Sequence, residues 1–187
     1  MTARWAVDIA PQRDLQIVWE PISLFLKNNP DPESKFYETV KWSHGLLRVM
    51  EAVRAAEGDA KVFDLYWEYG RRIHHDQERK WDPAEALTAV GLDPGYAAAA
   101  EDESWDGKVR GGMDRGLALV GQDVGTPIIS FEENGRTVAN FGPVITRVPP
   151  GDDSLKLWDA FVTLTSMDGF WELKRTRTES PEFGARP

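Results

Sequence analysis

Gly121-Gln122-Asp123-Val124-Gly125-Thr126-Pro127-Ile128-Ile129 closes a helical stretch, turns through a Thr-Pro step and opens a β-branched run. Proline has no backbone N–H, so it suits the first residue of a strand, where no ladder donor is lost. Upstream, Trp105, Val109, Met113, Leu117 and Val120 recur at steps of four or three. That spacing lays one apolar stripe along a helix despite Gly107, Gly111, Gly112 and Gly116. An exposed glycine inside a helix costs about 1 kcal/mol relative to alanine, so at least one of the four is expected to have a packing reason. Downstream, Ile128 to Glu132 and Arg136 to Phe141 flank Asn134-Gly135, which suits a type I′ hairpin. The stripe Trp105, Val109, Met113 and Leu117 is expected beneath Ile129, Phe131 and Phe141 of that hairpin. After Pro149-Pro150-Gly151, Asp152 or Asp153 is expected to cap a helix carrying Leu155, Trp158 and Val162.

The first part of the chain reads differently. Met1 to Ile9 is helical in pattern, with Trp5 and Ile9 four apart and Pro11 as its limit. Leu15, Ile17 and Trp19 then alternate with Gln16, Val18 and Glu20, the period of a strand, before Pro21. From Asn28 to about Glu103 no strand is expected. A long helix from Glu33 to Glu57, with Phe36, Val40, Leu47, Met50 and Val53 near one side, is closed by Gly58. A second runs from Ala60 to His74. A third has Asp82 as cap, Pro83 in the first turn, Glu85 three residues past the cap and Gly91 just beyond its end. A short one follows Asp93-Pro94. Together these form an all-helical insertion.

Composition narrows the function. With 41% hydrophobic and 28% charged residues over 187 positions, the chain can bury a sizeable core. A net charge of −9 repels nucleic-acid phosphates and anionic headgroups, and no Lys/Arg run offsets it locally. Neither nucleic acid nor membrane is expected as a partner. No apolar run reaches the ~20 residues needed to span a bilayer, and the cytoplasm is the expected compartment. The absence of cysteine excludes disulfides and thiolate zinc sites. The eight tryptophans are spread evenly and are expected in the core or lining a groove.

The order of these elements, with Arg72-Ile73-His74, Gly112-Met113-Asp114, Phe141-Gly142-Pro143-Val144 and the terminal run Phe170-Trp171-Glu172-Leu173-Lys174-Arg175-Thr176-Arg177, carries a likeness. From about Met1 to Glu179 the chain resembles the DsbA-like family of actinobacterial mycothiol-dependent nitroreductases and their oxidoreductase relatives. The resemblance implies an α/β, thioredoxin-like (DsbA-like) fold with an all-helical insertion and with the first β-strand absent. On that frame, 1–27 and 105–178 are the two parts of the thioredoxin-like domain, 28–104 is the insertion, and 179–187 is a disordered tail. Family members place a strand ending in Cys-Pro-Trp-Cys or Cys-Pro-Trp-Ala before the helix that matches Met1 to Ile9, so the natural protein is expected to start upstream.

The same resemblance implies a cis Thr126–Pro127 bond, with Pro127 facing the family's catalytic sulfur and Gly125 and Thr126 offering backbone to a thiol ligand. Trp5 is a groove-lining candidate or a core filler. Asn28 and Asn29 fall near the expected groove mouth, as ligand contacts or as a loop cap. The implied co-substrate is the low-molecular-weight thiol mycothiol, with no bound metal or flavin, and the second substrate is a small aromatic or a disulfide. A homodimer is compatible with this reading. The implied function is a thiol-linked oxidoreductase or nitroreductase, inactive here because the catalytic cysteine is missing. The alternatives are a non-catalytic ligand- or partner-binding relative, or a thiol-cofactor isomerase or transferase with serine at the helix start.

Other chemistry is weaker. His74 and Glu78 have the i, i+4 spacing of a metal pair beside His75 but lack a third strong ligand, so a solvated helix end is the expectation. His44, alone on the long helix, reads as structural. The glycines from Gly107 to Gly116 lack the Gly-Lys-Ser/Thr of a phosphate loop, and no serine sits in a Gly-x-Ser-x-Gly elbow.

Overall fold

The computed structural model describes residues 1–184. It is a mixed α/β structure, mostly helical, with a two-stranded sheet among the described residues. The helices are α1 (Thr2–Ile9), α2 (Leu24–Asn28), α3 (Tyr37–Glu57), α4 (Asp59–His74), α5 (Pro83–Ala89), α6 (Asp106–Val120) and α7 (Asp152–Ser166). The strands are β1 (Ile128–Glu133) and β2 (Arg136–Phe141). Two compact units emerge, 1–17 with 115–184 and 18–114, and the second division falls inside α6.

The first unit is built on α1, the hairpin and α7. The antiparallel register runs from Ile128 opposite Phe141 to Glu133 opposite Arg136. Asn134 (φ 52°) and Gly135 (φ 76°) both take the left-handed conformation that a type I′ turn demands. Its core is Trp5, Ile9, Trp158 and Phe161, with Ile129 and Phe131 of β1 packed against them. This corrects the expected partner of Ile129 and Phe131. Side chains alternate across a strand, so Ile129 and Phe131 share the face turned to α1 and α7, while Ile128 lies on the other face. It is there that the end of α6 approaches, a Cβ on Gly116 standing 3.6 Å from the Ile128 Cδ1.

A second correction concerns α7. Its N-cap is Gly151 at φ 52°, with no side-chain cap, and Asp152 and Asp153 lie within the first turn. The left-handed glycine after Pro149-Pro150 makes the turn, and the two carboxylates face the positive end of the helix dipole instead.

Residues 15–20 form no strand. The alternation itself is real, because Leu15, Ile17 and Trp19 are half-buried and Gln16, Val18 and Glu20 exposed. A ladder also needs a neighbour at ~4.8 Å, which no described segment supplies. Side-chain packing holds the segment: Leu15 lies on the Trp5 cluster, and Trp19 stacks on Phe63 and Tyr66 at 5.9 and 5.2 Å between ring centroids.

The second unit is helical. Leu46, Val49, Met50 and Val53 of α3 meet Val62 and Leu65 of α4 and Leu87 of α5 in one buried cluster. Each such fully buried side chain stabilises by about 1.5–3 kcal/mol. The long helix begins at Tyr37 and not at Glu33, because Asp31 accepts from the Glu33 and Ser34 backbone and holds 31–34 as a turn. Phe36, expected on the buried side, is therefore outside the helix and 60% exposed. The segment after Asp93 is a 3-10 helix, Pro94–Glu101. Trp105 packs on this helical cluster.

Candidate functional site

Within the first unit, two hydrogen bonds tie three pieces of chain together. The Thr2 hydroxyl, in the first turn of α1, donates to the Pro143 carbonyl at 2.7 Å. The Gly142 N–H donates to the Pro127 carbonyl at 2.8 Å. The start of α1, the 125–127 loop and the 142–143 turn are thereby linked, and both Thr126–Pro127 and Gly142–Pro143 are cis. Gly125 and Thr126 are exposed and Pro127 is half-buried. Gly125 lies against Phe141, its added Cβ standing 3.5 Å from the ring. The arrangement presents open backbone of the loop in hydrogen-bonded connection with a helix N-terminus, whose partial positive charge favours an anionic group.

The sequence model of the Rv2466c-like family, described as mycothiol-dependent nitroreductase Rv2466c, matches residues 1–175. The chain belongs to this family. The family is thiol-linked, so a small-molecule thiol is its co-substrate, and among the described residues no helix is long and apolar enough to cross a membrane.

The remaining predicted residues of this Rv2466c-like chain fall in both units. Trp5 is fully buried; its indole N–H donates to the Ser154 carbonyl at 2.9 Å and its ring lies 5.9 Å from that of Trp158. It fills the core and offers no face to a ligand. Asn28 is exposed at the last position of α2, and Asn29 is the left-handed C-cap of that helix (φ 41°), so both belong to the second unit. Glu78 pairs with Arg72 at 3.2 Å. No group of three or more metal-ligating side chains occurs among the described residues.

Sequence reading missed a polar network in the second unit. Buried His44 bonds the Ser23 hydroxyl through Nδ1 at 3.0 Å and an Asp106 oxygen through Nε2 at 2.9 Å. Arg48 grips the same carboxylate with two nitrogens, at 2.6 and 3.0 Å. Burial pushes the His44 pKa down, against the opposing pull of Asp106. Burial alone would raise the Asp106 pKa, but hydrogen bonds from Arg48 and His44 prevail and hold it below the usual carboxylate range. Serine, histidine and aspartate in a row suggest nucleophilic catalysis, yet the Ser23 oxygen also accepts the Leu26 N–H as the cap of α2 and is 1% exposed. The network is a fastener. Separations of 21 and 62 residues along the chain left no local pattern by which to find it.

Proposed function

We propose that the first unit is the thioredoxin-like, DsbA-like half of a mycothiol-dependent oxidoreductase, with the thiol co-substrate taken against the Gly125-Thr126-Pro127 loop beside the start of α1. What supports this reading is the family match over 1–175 together with the hydrogen-bonded link from Thr2 through the 142–143 turn to Pro127. Exposed loop backbone supplies donors and acceptors to the thiol's polar body. The α1 end favours negative charge on sulfur.

Thiol–disulfide exchange proceeds by attack of a thiolate on a disulfide sulfur. The sequence contains no cysteine, and methionine thioethers such as Met113 supply no thiolate. The chain as given therefore binds the thiol without exchanging it. The test pairs a binding titration with an activity assay. Adding mycothiol to ¹⁵N-labelled protein should shift the amide signals of Gly125, Thr126 and Thr2, while reduction of a nitroaromatic or disulfide dye stays at the thiol-only background. Thiol-dependent reduction above background would overturn the inactive reading. Shifts elsewhere, with none at these three residues, would move the ligand away from the loop.

A further inference from the structure

The five residues of α2 are too few to hold a helix by backbone bonds alone, and none of them is fully buried. One side chain of α3 fastens it. The buried His44 ring bonds the Ser23 hydroxyl through Nδ1 and stacks on the Phe25 ring, at 5.4 Å between centroids and 23° between planes. Ser23 is the cap of α2 and Phe25 its second residue, so the same imidazole holds the helix at its start and along its side. Phe25 in turn meets Tyr37 edge-on at 5.7 Å. The chain on either side of α2 is fixed elsewhere: Pro21 lies against Gly112 of α6, and Asp31 accepts the Glu33 N–H. Between these points residues 22 and 29–30 have no secondary structure, and the chain can turn there without breaking a helix or a ladder.

The bond from Ser23 to His44 tolerates only one protonation state of the ring. With Nε2–H directed at the Asp106 carboxylate, neutral His44 accepts the Ser23 O–H at Nδ1, while the Ser23 oxygen accepts the Leu26 N–H. A second proton turns Nδ1 into a donor facing a donor. Ser23 can rotate to accept it, but its own O–H then gives up its bond in a place only 1% exposed.

Charged groups face the ring from α3 and α6. Asp106 favours the proton, Arg48 and Arg110 oppose it, and Glu101 and Glu103 act on Arg48. Against the same ring α2 sets Ser23 and Phe25, both neutral. Burial is the largest influence and disfavours the charged ring, and α2 supplies the cover over Nδ1 and one ring face. Lifting α2 readmits water to both while Asp106 still holds Nε2, so the open form binds the proton more readily than the closed one. Attraction between a charged imidazole and Phe25 works the other way. It acts on one face only, whereas closure costs the cation its water and the Ser23 proton its acceptor.

We infer that α2 is an acid-released clasp: when His44 takes up a proton, residues 23–28 let go of α3 while the core of the second unit stays folded. Release uncovers the Phe25 and Tyr37 rings, and it falls in the pH range where histidine is the unperturbed side chain that titrates.

Amide hydrogen exchange on the whole chain tests it, read as protection factors so that the pH dependence of free-amide exchange cancels. Leu26, Lys27 and Asn29, whose N–H groups bond the Ser23 hydroxyl oxygen, the Ser23 carbonyl and the Phe25 carbonyl, report on α2. Val49 and Val53 report on the core. At pH 7.5 the α2 amides should be less protected than the core amides. At pH 5.5 their opening should have risen by up to about tenfold, which is what one site titrating near ~6.5 when open supplies over this interval. His44→Gln should remove the rise. The wild type gives a second reading that needs no variant, because the Leu26 amide and the His44 ring resonances should share one titration midpoint. Equal protection of α2 and core amides would mean that α2 opens only when the whole unit unfolds. A rise below twofold, a rise retained in His44→Gln, or a Leu26 amide that titrates apart from His44 would place its release on other groups. Each of these results would overturn the clasp.

Discussion

Gly112 answers the question raised by four glycines in one helix. A Cβ there would stand 2.6 Å from the Pro21 Cδ and 2.8 Å from a Glu20 oxygen, and a proline ring cannot swing aside. Gly112→Ala gains about 1 kcal/mol of helix propensity but loses about 1–3 kcal/mol to overpacking, so net destabilisation is expected. Gly107 has nothing within 4 Å of its added Cβ, and Gly107→Ala should stabilise by about 0.5–1 kcal/mol. Denaturant unfolding of the two variants side by side decides the matter. A stabilised Gly112→Ala would mean the close approach to Pro21 is not tight. Trp5 shows the limit of reading at this scale: its hydrogen-bond partner, Ser154, is 149 residues away, so the sequence left core filler and groove lining equally open.

Elements whose boundaries are set by local chemistry were legible. Asp82 caps α5 as its spacing predicts, accepting from the Ala84 N–H at 2.9 Å, with Pro83 in the first turn. Asp82→Ala should cost about 1 kcal/mol in thermal unfolding, and no change would show that water replaces the cap without loss. The hairpin was legible for the same reason, since Asn134-Gly135 specifies its own turn. Asn134→Val would force a β-branched residue to φ near 52° and should cost about 1–2 kcal/mol. Residues 15–20 were misread because alternation dictates which side chains are buried, whereas a ladder depends on a distant neighbour. Of the candidate site, the 125–127 loop could be located from its Thr-Pro step and its place in the element order. Its tie to α1 through Thr2 and Pro143 could not, because 141 residues separate the bonded partners.

Acid stability of the whole molecule follows from the network that fastens α2, α3 and α6. It is saturated when His44 is neutral: Nε2–H donates to Asp106, Nδ1 accepts from the Ser23 hydroxyl, and the Ser23 oxygen accepts from the Leu26 N–H. The charged groups facing the ring are Asp106, which favours protonation, and Arg48 and Arg110, which oppose it, and burial adds the largest push toward the neutral form. A histidine whose folded pKa lies below its unfolded value of about 6.5 binds more protons when unfolded, so stability falls as pH drops below that value. The slope for one proton can reach about 1.4 kcal/mol per pH unit. Asp106 acts in a lower window. Its folded pKa is depressed, so its contribution is present above the unfolded value of about 3.9 and is lost as pH falls through the folded one. His44→Gln removes the first step and leaves the second. Chemical denaturation at pH 7.5 and 5.5 should show the wild type losing stability between the two values, and the variant, less stable at pH 7.5, changing less. Equal pH slopes for the two proteins would place the titration on other groups and leave His44 a neutral spacer across this range.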